Sequence, residues 1–363
     1  MKKFNQLDKL EKKQLIAWIS GIILICVVYL GVTCSYLYTD KISEEKYWTY
    51  YLEEHDQLTK EEQELSKNAT KVKTGVYVEN FDSIDIKNSN FNVSFKLWFT
   101  WTGNKNLDMI NNYTIYRGKI NSQKIIKDIT VGEQRYQLAE VSATVSKIFW
   151  TTRFPMGSYQ LRMYIEPQKS IQDILIEPDK NYSSINPNLN VSGFTLNKFA
   201  SNRCIQEITN VKSDPEIQEK VFKESEFLVA FELNRKGIGL YIKCFIALAG
   251  TLGWVLITLF ICTYHEVDPL GMIPSALFGT VSNILVGANL VPDAIQTGLI
   301  EFVNIYGILI ILLVSFAIIK INRVRNFYNK NNFAVFLGKG LFWLITFFTI
   351  LGNILLPLSA YKF

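Results

Sequence analysis

The sequence predicts a membrane protein: an extracytoplasmic antiparallel β-sandwich joined to a four-helix transmembrane bundle, with an additional N-terminal transmembrane helix. Three observations carry this. Residues 15–38 hold no charge, the middle of the chain alternates apolar and polar residues in short runs, and the chain from near Gly237 onward is apolar with only short breaks. The overall 48% hydrophobic and 20% charged residues therefore average over two different materials.

The first element is LIAWISGIILICVVYLGVTCSYLY, residues 15–38. At about 1.5 Å rise per residue it is long enough to cross a hydrocarbon core of about 30 Å. It exceeds the roughly 7–15 residue apolar region of a signal peptide and lacks an A-x-A cleavage site, so an uncleaved anchor is expected. Lys2, Lys3, Lys9, Lys12 and Lys13 lie in or next to residues 1–14 and assign that end to the cytoplasm. Residues 39–71 form the expected helical linker, because 41–68 contain no Gly or Pro and are dense in Glu, Lys and Leu. Tyr51, Leu58 and Leu65 recur at heptad spacing, but a solvated connecting helix explains the segment more simply.

Residues 72–237 form the expected outer domain. Phe91, Val93, Phe95, Leu97, Phe99 and Trp101 share one face of a strand, while Asn92, Ser94, Lys96, Trp98 and Thr100 share the other. Similar runs occur in TGVYVENF, RYQLAEVSATV, YQLRMYIE, IQDILIE, NVSGFTL and EFLVAFEL, separated by Asn, Gly, Pro, Asp and Ser. Short strands with almost no helix between them argue for an antiparallel sandwich.

Residues 238–358 divide into spans at 238–263, 268–291, 297–320 and 333–358, leaving 359–363 outside the membrane. Lys320, Arg323, Arg325 and Lys330 sit in the last loop with no acid among them, which assigns that loop to the cytoplasm as well. The two basic clusters agree with this count of crossings.

Several function classes fall away. Of five cysteines, Cys26, Cys34, Cys244 and Cys262 lie in spans, so Cys204 has no partner for an intradomain disulfide. His55 and His265 are far apart, and nothing has metal-ligand spacing. There is no G-x-S-x-G, H-E-x-x-H or phosphate-binding loop, so no enzyme and no cofactor is expected. The net charge of +5 forms no basic, aromatic-interleaved stripe, so nucleic acid is not an expected partner.

The second of the four spans is unusual in carrying Ser275, Thr280, Ser282 and Asn283. Helical stepping places Glu266, Leu270, Pro274, Leu277, Val281 and Ile284 on one face. In a ring of subunits these positions would become stacked apolar rings above a charged one, the arrangement of a gate closed by dewetting. A core helix whose Thr280 and Ser282 bond to preceding carbonyls fits the same residues equally well.

The order of outer sandwich, four spans and polar second span resembles the pentameric ligand-gated ion channels, the superfamily of the nicotinic and glycine receptors, and especially its bacterial branch without the cysteine loop. NILVGANLVPDA, residues 283–294, resembles the outer end of the bacterial pore helix and its proline-containing turn. GVYVENFDSIDIKNSNFNVSFKLWFTW, residues 75–101, resembles the first two sandwich strands, and RFPMGSYQLRMYIE, residues 153–166, resembles the family's aromatic-Pro loop and following strand. Arg235 stands where the family keeps a coupling arginine.

The resemblance implies a homopentamer in the bilayer of a bacterial inner membrane, gated by an unknown small ligand or ion. It implies coupling through Phe154, Pro155, Arg235, Pro292 and Asp293, and an aromatic ligand cage drawn from Trp98, Trp101, Tyr136, Trp150 and Tyr182, of which outward-facing Trp98 is favoured. Glu266 and Asp293 suggest cation preference, since carboxylate rings concentrate cations. Four features depart from the family: Gly157 where Asp is usual, Leu270 where a small polar ring narrows the pore, Pro274 inside the helix, and the N-terminal span. These motivate an alternative, a non-conducting envelope sensor or scaffold that signals through the extra helix.

Overall fold

The computed structural model describes residues 7–50, 57–208, 222–290 and 297–361. The chain divides into two compact units. One comprises Met1–Ile42, Thr151–Gly157 and Gly237–Phe363, and the other Ser43–Trp150 and Ser158–Lys236.

The second unit is built of strands. A six-stranded sheet has the order β4 (Gly118–Val131), β5 (Gln134–Ser146), β2 (Asn90–Thr102), β1 (Thr70–Asp85), β7 (Ile174–Pro178), with β8 (Ser184–Ile185) paired to β1. A four-stranded sheet has the order β3 (Thr114–Ile115), β6 (Tyr159–Glu166), β10 (Phe222–Arg235), β9 (Phe194–Ile208). β2 alternates along its length, with Phe91, Val93, Phe95, Leu97 and Phe99 fully buried and the intervening residues half-buried. The sheets meet through aromatic side chains: the rings of Phe81 and Phe231 are 5.0 Å apart and nearly perpendicular, the edge-to-face geometry that aromatic quadrupoles favour.

Two strand expectations need correction. The strands are not all antiparallel, since β7 and β8 each pair with β1 in parallel. β4, which is not among the expected strands, carries no alternation because almost all of it is exposed, and its one antiparallel neighbour among the described residues is β5. In NVSGFTL the strand starts only at Phe194, because Gly193 adopts a left-handed φ of +79 that interrupts extended backbone.

The N-terminal span and the first part of the expected linker form one helix. Helix α1 runs from Lys9 to Thr49 without interruption, and its residues from Ser43 onward belong with the strands. There Trp48 packs on Leu228 and Ala230. Among the described residues, the rest of the linker holds α2, Lys60–Leu65, whose start is a reciprocal cap between Thr59 and Glu62, and the first residues of β1. Tyr51 and His55 lie outside the described residues.

The first unit holds α3 (Gly239–Tyr264), α4 (Ile273–Leu290), α5 (Leu299–Asn322) and α6 (Asn331–Ala360), together with most of α1. Among the described residues, five helices, α1 among them, are long and apolar enough to cross a membrane. Long side chains tie α1 to the others. The Tyr29 hydroxyl donates to the Phe302 carbonyl at 2.7 Å, and its ring stacks on Tyr306 at 5.6 Å. Lys330 pairs with Glu11 at 3.0 Å, so the start of α1 lies beside the α5–α6 loop, and the basic clusters of the sequence share one end of this unit. Near the other end, Lys41 donates to the Tyr361 carbonyl.

Candidate functional site

α4 begins later than stepping from Glu266 assumed. Glu266 precedes the helix, has a left-handed φ of 60, and accepts from the Asn331 amide at 3.0 and 3.1 Å. A single tight turn, Leu270–Met272, then leads into α4, with the Ile273 N–H donating to the Leu270 carbonyl. Pro274 therefore sits in the first helical turn, where its missing N–H removes nothing, so the expected perturbation of the helix does not arise.

From there the helix has two distinct sides. Leu270, Leu277, Val281 and Ile284 are 37–54% exposed, and Glu266 and Pro274 are exposed with them. Thr280 and Asn283 are turned inward at 1% and 2%. Thr280 donates to the Ala276 and Leu277 carbonyls, and Asn283 donates to Asn304 on α5 at 2.8 Å. Small residues let α4 approach its neighbours closely; a side chain at Gly279 would collide with Thr251 on α3. Ser275, Ser282 and Asn289 stay exposed at seven-residue spacing, on a second line roughly a third of a turn round from the apolar one, with the exposed Phe278 and Leu285 between them. The polar residues of this helix therefore divide between an inward pair, Thr280 bonded back to its own helix and Asn283 joining α4 to α5, and an outward line.

The segment Thr151–Gly157 connects two strands yet packs with the helices. Leu299 at the start of α5 donates its N–H to the Thr152 carbonyl at 2.8 Å, and Gly298 presses against Thr152 where a Cβ would collide with its backbone. Phe154 and Pro155, joined by a cis peptide, are buried in this loop. Beside them Arg153, which sequence reasoning missed, pairs with Asp40 of α1 at 3.2 Å and donates to the Ala360 carbonyl at 3.3 Å. Pro292 and Asp293 lie outside the described residues. Arg235 ends β10, with its guanidinium 4.1 Å from the centre of the Phe194 ring.

Three of the five aromatics named from the sequence share one cleft of about 560 Å³ on the strand unit: Trp98, Tyr136 and Tyr182. Register explains the grouping, since Lys73 pairs with Thr100, Gly75 with Trp98 and Thr100 with Tyr136, all on the outward face. The Trp98 indole lies over Gly75, where any Cβ would strike the ring, and its N–H donates to Asp179 Oδ2 at 3.3 Å. Lys73 pairs with Asp179 Oδ1 at 3.1 Å and stands 5.6 Å from the Tyr182 ring centre. The cleft thus offers ring faces, a carboxylate and an ammonium, groups complementary to a small zwitterion or amine able to displace Lys73. Burial raises the Tyr136 hydroxyl above its ordinary pKa, which keeps that group neutral.

Trp101 and Trp150 are elsewhere. Trp101 points to the buried face of β2 and donates to the Asn104 carbonyl, a placement its odd-numbered register with Phe99 already signals. Trp150 packs on Tyr47. Compared with known proteins, the chain matches no family model and no curated protein.

Proposed function

We propose that this protein is a pentameric ligand-gated-channel-like membrane protein, a cation channel whose outer β-sandwich binds a small ligand or ion. The observation that carries this is α4. It keeps an exposed apolar line of Leu277, Val281 and Ile284, while Thr280 and Asn283 turn inward. Five such helices would form stacked apolar constrictions, a wall suited to gating by dewetting. The Trp98, Tyr136 and Tyr182 cleft is the ligand site in this proposal. The Thr151–Gly157 loop, a strand connection bonded to Leu299, is the route to the pore helix.

The test is current through reconstituted protein. Reversal near the cation equilibrium potential, with selectivity weakened in Glu266→Ala, supports the proposal. Reversal at the chloride potential, or a particle with fewer than five subunits around a central helix ring, overturns it.

The second reading, a non-conducting envelope sensor or scaffold, is favoured by the way α1 is bound into the helical unit through Asp40 and Arg153. Removal of residues 1–70 should then abolish assembly or signalling; intact function without them would end that reading.

A further inference from the structure

β10 is buried on both faces. Phe227, Val229 and Phe231 fill the core, while Glu224, Glu226, Leu228 and Ala230 face the other way, where Trp48 packs on Leu228 and Ala230. On that second face Glu226 pairs in register with Cys204 of β9. Glu166 of β6 directly follows Ile165, the register partner of Phe227, and so stands opposite Glu226 on the same face. Glu226 is 3% exposed, its Oε1 has no hydrogen-bond partner, and no lysine or arginine pairs with it among the described residues. Thr114 donates to Glu166 Oε2 at 3.3 Å.

The other charges on the packed elements are engaged elsewhere. On β6, Arg162 donates to Gln160 and stacks 4.5 Å from the Tyr47 ring centre, and Tyr164 is a neutral phenol. On β9, Arg203 donates to the Ile176 carbonyl, and burial holds the Cys204 thiol up near 11. On β10, Lys223 pairs with Glu61 and Glu62 of α2, and Glu224 adds a further negative group. On α1, Glu44 accepts from Ser158. No group of three or more His, Cys, Asp or Glu among the described residues is placed to hold a metal. Two carboxylates this close, in a site this dry, cannot both be ionised cheaply, so the ligand that fits is a proton held between them.

We propose that Glu226 and Glu166 form a proton-binding site on the covered face of β10 and β6, and that loss of the shared proton loosens the packing of Trp48 on that same face. Burial first, then the charges of Glu166 and Glu224, push Glu226 up to about 8 from an ordinary 4.5. The folded carboxyl thus keeps its proton to higher pH than an unfolded one. Its stabilisation is complete below about pH 4 and is lost as pH rises through about 8. This holds whether or not the chain conducts.

The experiment uses the full-length detergent-solubilised protein and its Glu226→Gln variant, a neutral mimic of the protonated acid. Between about pH 5 and pH 8 the thermal midpoint of the native protein should fall, and the variant should lose most of that slope. Infrared difference spectra should show a protonated-carboxyl band that bleaches near neutral pH in the native protein and is missing from the variant. If Glu226→Gln does not fold, Glu166→Gln makes the same comparison. Equal slopes in variant and native protein, or no such band, overturn the proposal. A midpoint raised by millimolar calcium but indifferent to pH would identify a cation site and overturn it too.

Discussion

Arg153 and Asp40 form an ion pair in which the side chains are 2% and 8% exposed. Neither charge can recover full hydration if the other is removed. Truncating one partner of a buried pair leaves an uncompensated charge and costs about 3–5 kcal/mol, whereas removing both costs much less. Arg153→Ala and Asp40→Ala are therefore each expected to lower the thermal midpoint of the purified protein sharply. The double variant should fall well short of the sum; strict additivity would show that the two groups do not depend on each other. The same cycle tests whether α1 is bound to the Phe154-Pro155 loop, a link with no counterpart in a protein lacking the N-terminal helix.

That pair could not be found in the sequence, because 113 positions separate its members and no local period joins them. β2 was legible for the opposite reason: one dry face and one wet face impose alternation that survives in the residues themselves. β4 was not, since an edge strand exposed along most of its length needs no pattern to fold. For the aromatics, parity was the useful signal. It places Trp98 outward and Trp101 inward, but nothing local could bring Tyr182 beside them. The Glu226 site left a trace that went unread. EFLVAFEL is apolar at both parities between its acids, the signature of a strand covered on both sides, and an acid in such a strand has no water to face.

Asn283 and Asn304 join α4 to α5 through a buried amide pair at 2.8 Å. Replacing Asn283 with Leu strands the Asn304 amide in an apolar setting, and such interhelical bonds contribute about 1 kcal/mol in membrane proteins. A modest loss of thermal stability is expected for Asn283→Leu, with partial recovery when Asn304→Leu is added. A larger loss in the double variant than in the single one would contradict the pairing.

Gly75 is needed because the Trp98 indole occupies the space a side chain would take. Alanine there should displace the ring, break its 3.3 Å bond to Asp179 and cost about 1–3 kcal/mol as overpacking. Tryptophan emission and near-ultraviolet circular dichroism should both change. Adding Trp98→Ala to Gly75→Ala should relieve the stability cost; if it does not, the collision with Trp98 is not its origin.

Lys147, just beyond β5, gives a pH dependence of opposite sign to that of Glu226. Burial first, and then the positive charge of Arg162, pull its amine down to about 8 from an ordinary 10.5. The unfolded chain therefore binds more protons than the folded one between those values, and stability should rise with pH across that window. Below about 8 the folded protein carries the full cost of a buried ammonium near a guanidinium. Lys147→Met, which keeps the apolar stem and removes the charge, should raise stability at neutral pH by at least about 1 kcal/mol, roughly 2–4 °C in thermal midpoint. The gain should shrink as pH approaches 10.5, where the native amine is half neutral even when unfolded. A gain independent of pH would assign the effect to packing rather than charge, and a loss at neutral pH would show that the ammonium is well solvated.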